Sequence, residues 1–566
     1  MQHLSPGIKR HEVLVQLDRF LLSFRQEFCS ELNTLAVAVD LPPKILIHIF
    51  HSVINTGPTE LSDMKSLLSV THVCRKWREV ACGNSPYSQG LWAWGRIDPS
   101  ILRPELLDLI LHRAGSRSLR VSLKLRNAPQ ASVSKDGLNW VIKNFGRIEA
   151  MALESDVLND FAWLPTANGD SIRALELSYA VGGGGGGGPL AKLCDDCMPR
   201  LRELRLSGVR LPWQGKRYLN LTSLTIVVPG GVLDDDQSII DIFEHSPNIE
   251  KFRLFSTRGI SVIAHDKLLQ TGPQPKPIPL HQLRLFAIQL PFLDVRYILR
   301  RILIPQSTQL SILAQAPSTL EWCSGQPGTL PEQLQTILPE DLRCLQALTT
   351  VKTLIVNAEE RTVDGWVIPH GGIDKAIPNF SFKILPGLVS TDRYKAIADD
   401  LFSTSSAFLL GRLTSPFSLS QLTLRGVHKQ FMDAQQYSGL ILTNLTFDNW
   451  PSDIVTSIYD KIQHSETSWR SFENVIFKNM TIEAHALRNL LTAMERFGKK
   501  PFRSLMSSCI VTANSKEEAM EIFGPLSVAG AIEPNSIISV NWNGSTHAIR
   551  CSFSEANGWT WAEMQG

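Results

Sequence analysis

Residues 41–95 of this 566-residue chain read LPPKILIHIFHSVINTGPTELSDMKSLLSVTHVCRKWREVACGNSPYSQGLWAWG. Pro42 and Pro43 suit the first turn of a helix, because the N–H groups that they lack would find no partner there. Apolar residues then recur at helical spacing, namely Ile45, Leu46, Ile49, Phe50 and Val53. This pattern predicts a short helix with one apolar face. The segment NTGPTELSD, residues 55–63, predicts a polar loop after it.

A second amphipathic helix is predicted after this loop. Its apolar positions are Leu67, Leu68, Val70, Val73, Cys74 and Trp77, and its solvated positions are Arg75, Lys76 and Arg78. Residues 83–86, GNSP, are expected to end the helix. Leu91 and Trp92 follow and are expected to cover the apolar core of the unit. About fifty residues in short helices can barely bury their own apolar faces, so a unit of this size is marginally stable unless a partner covers it.

The order of these motifs resembles the F-box, in the variant abundant in mushroom-forming fungi. The matching positions are Leu41 with Pro42, Ile45 with Leu46, Ile49 with Phe50, Val73, Cys74 and Arg75 with Trp77, and Leu91 with Trp92. The resemblance implies a three-helix domain that binds a Skp-type adaptor, and through it a cullin scaffold.

It also implies a set of adaptor contacts, namely Leu41, Pro42, Ile45, Leu46, Ile49, Phe50, Val73, Cys74, Trp77, Leu91 and Trp92. The alternative for Leu46, Phe50, Val73 and Trp77 is a place in the core of the bundle, and for Trp77 a core or mixed role is favoured.

The preceding segment, within residues 1–40, predicts one amphipathic helix over 12–38. Its apolar residues recur every three or four positions and therefore share one face; they are Leu14, Leu17, Leu21, Phe24, Phe28, Leu32 and Leu35. Two interpretations stay open. The face could form a short coiled coil, although the spacing slips after Phe28. A helix that packs on its own domain is the favoured alternative.

The long region 96–566 carries a recurring L-x-x-L-x-L pattern. Its instances are Ile148/Met151/Leu153, Ile172/Leu175/Leu177, Leu201/Leu204/Leu206, Leu221/Leu224/Ile226, Ile249/Phe252/Leu254, Leu280/Leu283/Leu285, Val351/Leu354/Val356, Leu419/Leu422/Leu424, Leu442/Leu445/Phe447 and Phe472/Val475/Phe477. The distances between the central residues of successive instances lie around the period of leucine-rich repeats, which is roughly 20–29 residues. We therefore expect an α/β protein whose third domain, 96–566, is an irregular leucine-rich-repeat-like solenoid of parallel strands. Insertions are expected near 313–345 and 358–415. The alternative is a set of unrelated strands in an α/β domain.

One position departs from the usual repeat consensus. Three residues after the last apolar residue of a repeat, an Asn or Cys normally bonds the backbone of the turn, whereas Val209, Val427 and Met480 stand there in this chain. The sequence therefore predicts turns held by packing more than by a ladder of asparagines.

Composition narrows the classes of function. Lys and Arg number 56 and Asp and Glu 54, a net charge of +2, so no general attraction to nucleic acid or to an anionic membrane is expected. Nine cysteines are too few for a disulfide scaffold and suit free thiols in a reducing compartment. We see no secretory signal and no apolar run long enough to span a bilayer. An intracellular protein of the cytoplasm, the nucleus or both is expected.

Other motifs in the sequence do not predict chemistry. Seven consecutive glycines at 182–188 precede Pro189, which favours a flexible loop over a phosphate cradle. Cys194 and Cys197 form a C-x-x-C without a second pair at zinc-finger spacing. The aspartate run at 234–236 lacks the other ligands of a calcium loop. We expect no catalytic residue, no metal, no cofactor and no enzymatic activity, although an enzyme built on the large domain is a third possibility.

The function that the resemblance implies is substrate recognition in an SCF-type E3 ubiquitin ligase. The F-box would bind the Skp-type adaptor, and the solenoid would bind a target protein whose identity the sequence leaves open. A non-catalytic interaction scaffold that is not coupled to ubiquitination is the alternative.

Overall fold

The structure is a computed structural model that divides into two compact units, one of residues 1–184 and 188–212, the other of residues 185–187 and 213–566. The residues it describes are 6–34, 41–54, 60–83, 96–125, 131–157, 161, 163–164, 169–179, 198–209, 220–228, 237–256, 276–316, 338–339, 344–366, 378–385, 392–412, 419–426, 442–450, 453–464, 474–497, 503–507, 509–518, 520–521, 537–542, 545–554 and 558–563. In that part of the chain, no helix is both long enough and apolar enough to cross a membrane.

The first unit begins with helices and continues with parallel strands. Its helices are α1 Pro6–Thr34, α2 Pro43–Ile54, α3 Glu60–His72, α4 Arg75–Cys82, α5 Pro104–Ala114 and α6 Ala131–Asn144, followed by a 3-10 turn at Phe145–Arg147. Its strands are β1 Arg96–Ile97, β2 Leu119–Leu125, β3 Ile148–Ser155, β4 Ala174–Tyr179 and β5 Glu203–Ser207. These strands pair in chain order, each parallel to the next.

Aligned apolar side chains build the core beneath these strands. Leu123, Leu153, Leu177 and Leu206 occupy matching positions on successive strands, and all four are buried. Residues at alternate positions of a strand point to the same face, so each L-x-L pair contributes two side chains to one continuous core. The parallel strands predicted from the repeating pattern are confirmed in this unit.

The second unit is built mainly on a larger sheet. Its strands are β6 Ser223–Val228, β7 Lys251–Ser256, β8 Ile278–Pro279, β9 Leu285–Pro291, β10 Ile302–Leu303, β11 Gln309–Gln315, β12 Thr353–Asn357, β13 Thr362–Trp366, β14 Phe380–Leu385, β15 Gln421–Arg425, β16 Asn444–Asp448, β17 Asn474–Lys478, β18 Thr481–Glu483, β19 Arg503–Ser507, β20 Ile510–Ala513, β21 Ile537–Trp542, β22 Ser545–Ser554 and β23 Gly558–Glu563. Its helices are α7 Gln237–His245, α8 Phe292–Leu299, α9 Asp392–Arg412, α10 Asp453–His464 and α11 Ala484–Phe497, with a 3-10 turn at Gln346–Thr350.

The large sheet of this unit has the strand order β6-β7-β9-β11-β14-β13-β12-β15-β16-β17-β19. All neighbours are parallel except β13, which runs antiparallel to both β12 and β14. A five-stranded sheet follows the order β18-β20-β21-β22-β23, and β8 pairs with β10. The mixed α/β class with a parallel-strand sheet is therefore confirmed, whereas the solenoid and the domain boundaries stay predictions.

One predicted triad is out of phase with its strand. In every other triad the second and third residues lie within a strand, but Leu283 precedes β9. The register of β9 on β7 pairs Phe286 with Phe252 and Ile288 with Leu254, so Phe286 and Ile288 take the inward positions. The segment from Leu283 onward also fits the L-x-x-L-x-L pattern, and only the pairing with β7 decides between the two phases.

The turns after the strands repeat a backbone conformation that the sequence did not reveal. Gly208, Gly426, Asn449 and Asn479 each follow the last inward residue of a strand by two positions, and all four have positive φ. Glycine and asparagine are the residues that tolerate this left-handed region best. The turns therefore share one geometry although no consensus asparagine stands in the next position.

The position after each left-handed residue, or its equivalent after β19, is filled in two ways among the described turns: by a buried apolar side chain or by a side chain that donates to a strand carbonyl. Val209 and Met480 are buried, whereas Val427 lies outside the described residues. The buried indole N–H of Trp450 donates to the Leu424 carbonyl at 2.8 Å. The Cys509 thiol donates to the carbonyl of Phe477 at 3.3 Å. These two side chains supply the turn-to-strand bond that an asparagine would make.

Helix α1 differs from its favoured interpretation. The described helix is Pro6–Thr34, and residues 35–38 of the predicted helix lie outside the described residues. Its described side chains, at positions 12–25, 27, 28 and 31, are exposed to solvent except the half-buried Val15. At these described positions the apolar face of α1 is therefore not buried on its own domain, and the side chains of Leu32 and Leu35 lie outside the described part.

Candidate functional site

The three helices α2, α3 and α4 form a small bundle around a fully buried centre. Leu46 and Phe50 of α2 pack there with Leu67 of α3, and none of the three has exposed surface. The Phe50 ring also lies 5.0 Å from the ring of Trp77, centroid to centroid, at an angle of 58°. Positions 46 and 50 are one helical turn apart, so they present a single face to the other two helices.

The junction between α3 and α4 corrects the prediction of one continuous second helix. Helix α3 ends at His72 and α4 begins at Arg75. Cys74 between them is extended, with φ −156°, and its sulfur accepts the backbone N–H of Trp77 at 3.4 Å. A cysteine in this position caps the start of α4, because it satisfies one of the N–H groups that a helix leaves unpaired.

A second hydrogen bond links the end of α3 to α4. The guanidinium Nε of Arg78 donates to the Thr71 carbonyl at 2.9 Å, which satisfies an acceptor in the last turn of α3. Helix α3 begins at Glu60. Residues 60–63, the last part of the predicted polar loop, are therefore helical.

A row of apolar side chains lies along the outer side of α2. This α2 stripe consists of Ile45, Ile49 and Val53, which are four residues apart and therefore aligned along the helix. Ile45 is 45% exposed and Val53 39%, and Ile49 is half-buried. Val73, at the α3–α4 junction, is 51% exposed and so is not part of the core. These residues leave apolar surface open to a partner.

The predicted adaptor contacts thus fall into distinct environments. Pro42, Ile45 and Val73 are exposed, Leu41, Ile49 and Trp77 are half-buried, Leu46, Phe50 and Cys74 are buried, and Leu91 and Trp92 lie outside the described residues. Adaptor contact by any of them stays a prediction. The buried residues pack within the bundle without any partner protein. This agrees with the alternative that Leu46 and Phe50 belong to the bundle core. Val53 belonged to the predicted apolar face but not to the predicted contacts, and its four-residue step from Ile49 places it in the same exposed row.

The surroundings of one histidine in α2 shift its pKa. His48 is exposed and His51 half-buried. Burial lowers the pKa of His51 below its usual value, and the neighbouring His48 lowers this pKa further. Both effects disfavour the charged imidazolium, so the neutral form of His51 suits the folded bundle. Across the described ranges, no cluster of three or more His, Cys, Asp or Glu side chains is placed to hold a metal ion.

Comparison with curated proteins finds no significant match to this chain. Comparison with protein families does find one, at residues 38–88, and the matching family is described as F-box-like. The matched span includes the bundle core, the α2 stripe and the Cys74 cap. Residues 38–88 of this chain are therefore an F-box-like domain.

Proposed function

We propose that this chain is the substrate-recognition subunit of an SCF-type E3 ubiquitin ligase. The F-box-like match at residues 38–88 carries the proposal, because F-box domains in general bind Skp-type adaptors. In this proposal, the domain binds the adaptor and through it the cullin scaffold, while residues 96–566 bind a target protein. The F-box is of the type abundant in mushroom-forming fungi.

The α2 stripe supplies the adaptor-binding surface. An apolar row on a helix is recognised when it enters a groove of a partner, with aliphatic and aromatic side chains as anchors. Ile45 and Val53 are exposed and therefore accessible to a partner. On the other side of α2, the buried side chains of Leu46 and Phe50 pack in the bundle core. A helix that is already packed on a core loses little conformational freedom on binding. Pro42 and Val73 are also exposed and belong to the proposed set of contacts.

The large region acts as an irregular leucine-rich-repeat-like array that presents its strands and turns to the target. The recurring parallel strands and the left-handed residues at Gly208, Gly426, Asn449 and Asn479 support a repeating unit. The chain contributes proximity by holding the target near the conjugating enzyme and supplies no catalytic group of its own. Such a role requires no metal and no cofactor.

The test of the adaptor surface compares two isoleucines. Ile45→Asp introduces a charge on the α2 stripe, whereas Ile142→Asp introduces the same charge on α6, where the original side chain is 41% exposed. We expect Ile45→Asp to weaken binding of a purified Skp-type adaptor by at least about tenfold, since burial of an unpaired carboxylate is costly. Ile142→Asp should bind as the unchanged chain does. Equal binding by all three proteins would contradict the proposed surface.

The alternative function, a scaffold that is not coupled to ubiquitination, is separated by reconstitution. The chain, the adaptor, a cullin with its catalytic partner and a captured binding protein are combined with ubiquitin and its activating and conjugating enzymes. Transfer of ubiquitin to the captured protein, lost with Ile45→Asp, supports the ligase. Adaptor binding without cullin recruitment would favour the scaffold.

A further inference from the structure

We infer that helix α1 pairs with α1 of a second copy of this chain, side by side and antiparallel. The first observation is an apolar row that no described part of its own domain covers. Its members lie within an arc of roughly 120° at 100° per residue; they are Val13, Leu14, Leu17, Phe20, Leu21, Phe24 and Phe28, and each is at least half exposed. A continuous row of this kind marks an interaction surface.

The spacing of this row suits a helix pair. Leu14, Leu21 and Phe28 repeat every seven residues, and Leu17 with Phe24 forms the second heptad row. Alternating steps of three and four residues are the pattern with which two helices wind around each other. The row extends over about two heptads, fewer than a stable coiled coil usually has, so the self-association is expected to be weak and to depend on concentration.

Charges beside the row select the antiparallel direction. Asp18 and Arg25 lie on the same edge of the row, one heptad apart, and carry opposite charges. In an antiparallel pair this edge faces the same edge of the partner, so Asp18 of each copy comes beside Arg25 of the other. In a parallel pair it would face the opposite edge, where Val13 and Phe20 stand. Flanking charges of this kind set the orientation of coiled coils.

The sizes of the apolar residues agree with the same alignment. When Asp18 and Arg25 meet, Leu21 of one copy lies level with Phe24 of the other, and Leu17 lies level with Phe28. Every central layer then combines one leucine with one phenylalanine. A parallel pair would place Phe24 on Phe24 and Phe28 on Phe28, so large and small residues would be unevenly distributed.

The arrangement has a consequence for the domain that follows. In an antiparallel pair the two Thr34 ends of the helices point away from each other. At 1.5 Å per residue they lie roughly 35 Å apart along the axis. Each F-box-like domain therefore follows from a different end of the pair, and one dimer carries two α2 stripes.

The first experiment measures self-association of the full chain by sedimentation equilibrium. Leu21→Glu places a charge in the middle of the row, whereas Leu22→Glu places it on the opposite side of α1, where the exposed fraction is similar, 50% against 55%. We expect a dimer for the unchanged chain and for Leu22→Glu, and a monomer for Leu21→Glu. A monomeric unchanged chain over the whole concentration range would overturn the inference, as would a Leu21→Glu chain that dimerises normally.

The second experiment tests partner and direction together. Asp18→Arg and Arg25→Asp each place like charges opposite each other in a homodimer, and each should raise the dissociation constant about tenfold. An equimolar mixture of the two variants should associate again, because every cross-pair then joins Arg with Asp. The double variant Asp18→Arg with Arg25→Asp should also dimerise. A mixture that associates no better than its components would overturn the antiparallel arrangement.

Discussion

Two neighbouring residues of α2 provide a direct test of the bundle. Leu46 has no exposed surface, whereas Ile45 is 45% exposed. Leu46→Ala removes a fully buried side chain and leaves a cavity, which typically destabilises by about 2–5 kcal/mol. Full burial of an isoleucine contributes about 1.5–3 kcal/mol, so the half-exposed Ile45 should lose only about 1 kcal/mol on truncation to alanine. The two variants remove similar numbers of carbon atoms from adjacent positions.

Hydrogen exchange of backbone amides in the full-length chain measures this difference locally. A bundle of about fifty residues is only marginally stable. A decrease of this size in its free energy of unfolding should therefore increase the unfolding of α2, α3 and α4 together. At about 1.4 kcal/mol per tenfold, Leu46→Ala should accelerate exchange in these helices at least about 30-fold, and Ile45→Ala about fivefold. Exchange in β16, in the other unit, serves as the internal control and should not change.

The reasoning would be refuted by either of two results. Equal acceleration by both variants would mean that Ile45 also belongs to the core, which removes it from the surface proposed for the adaptor. Unchanged exchange with Leu46→Ala would mean that α2 is not held by packing on α3 and α4. A change in β16 as large as that in α2 would point to global unfolding instead.

Two further predictions concern a turn and a titrating group. Trp450→Phe keeps an aromatic ring beside Phe447 but removes the indole donor to the Leu424 carbonyl, so urea denaturation should show a loss of about 1–3 kcal/mol; an unchanged midpoint would exclude a structural role for this bond. Because burial lowers the pKa of His51 in the folded state, protons bind more tightly to the unfolded chain. The bundle should therefore be fully stable above about pH 6.5 and lose stability as the pH falls below it, and His51→Gln should flatten this dependence in exchange measurements.

Elements with local signals were predictable from the order of the amino acids alone. Helix α2 follows from its prolines and its apolar spacing, and strands such as β5 follow from the alternation of leucines, because 3.6- and 2-residue periods are properties of the nearby chain. The order of short motifs between Leu41 and Trp77 was likewise sufficient to predict the F-box-like domain. A break within an apolar run was less visible, since Val73 and Cys74 continue the helical pattern that Cys74 in fact interrupts by capping α4.

The contacts of each apolar side chain, by contrast, depend on the folded arrangement of distant segments. Periodicity places Ile45 and Leu46 on one helix face, but only packing against α3 and α4 buries one and exposes the other. The phase of β9 depended on its pairing with β7, and the role of Trp450 depended on a carbonyl 26 residues away. Likewise, only the structure shows that the apolar row of α1 is exposed, since its spacing alone also fits a helix packed on its own domain. A pattern shows that a side chain needs apolar surroundings, whereas the segment that provides them comes from elsewhere in the fold or from another molecule.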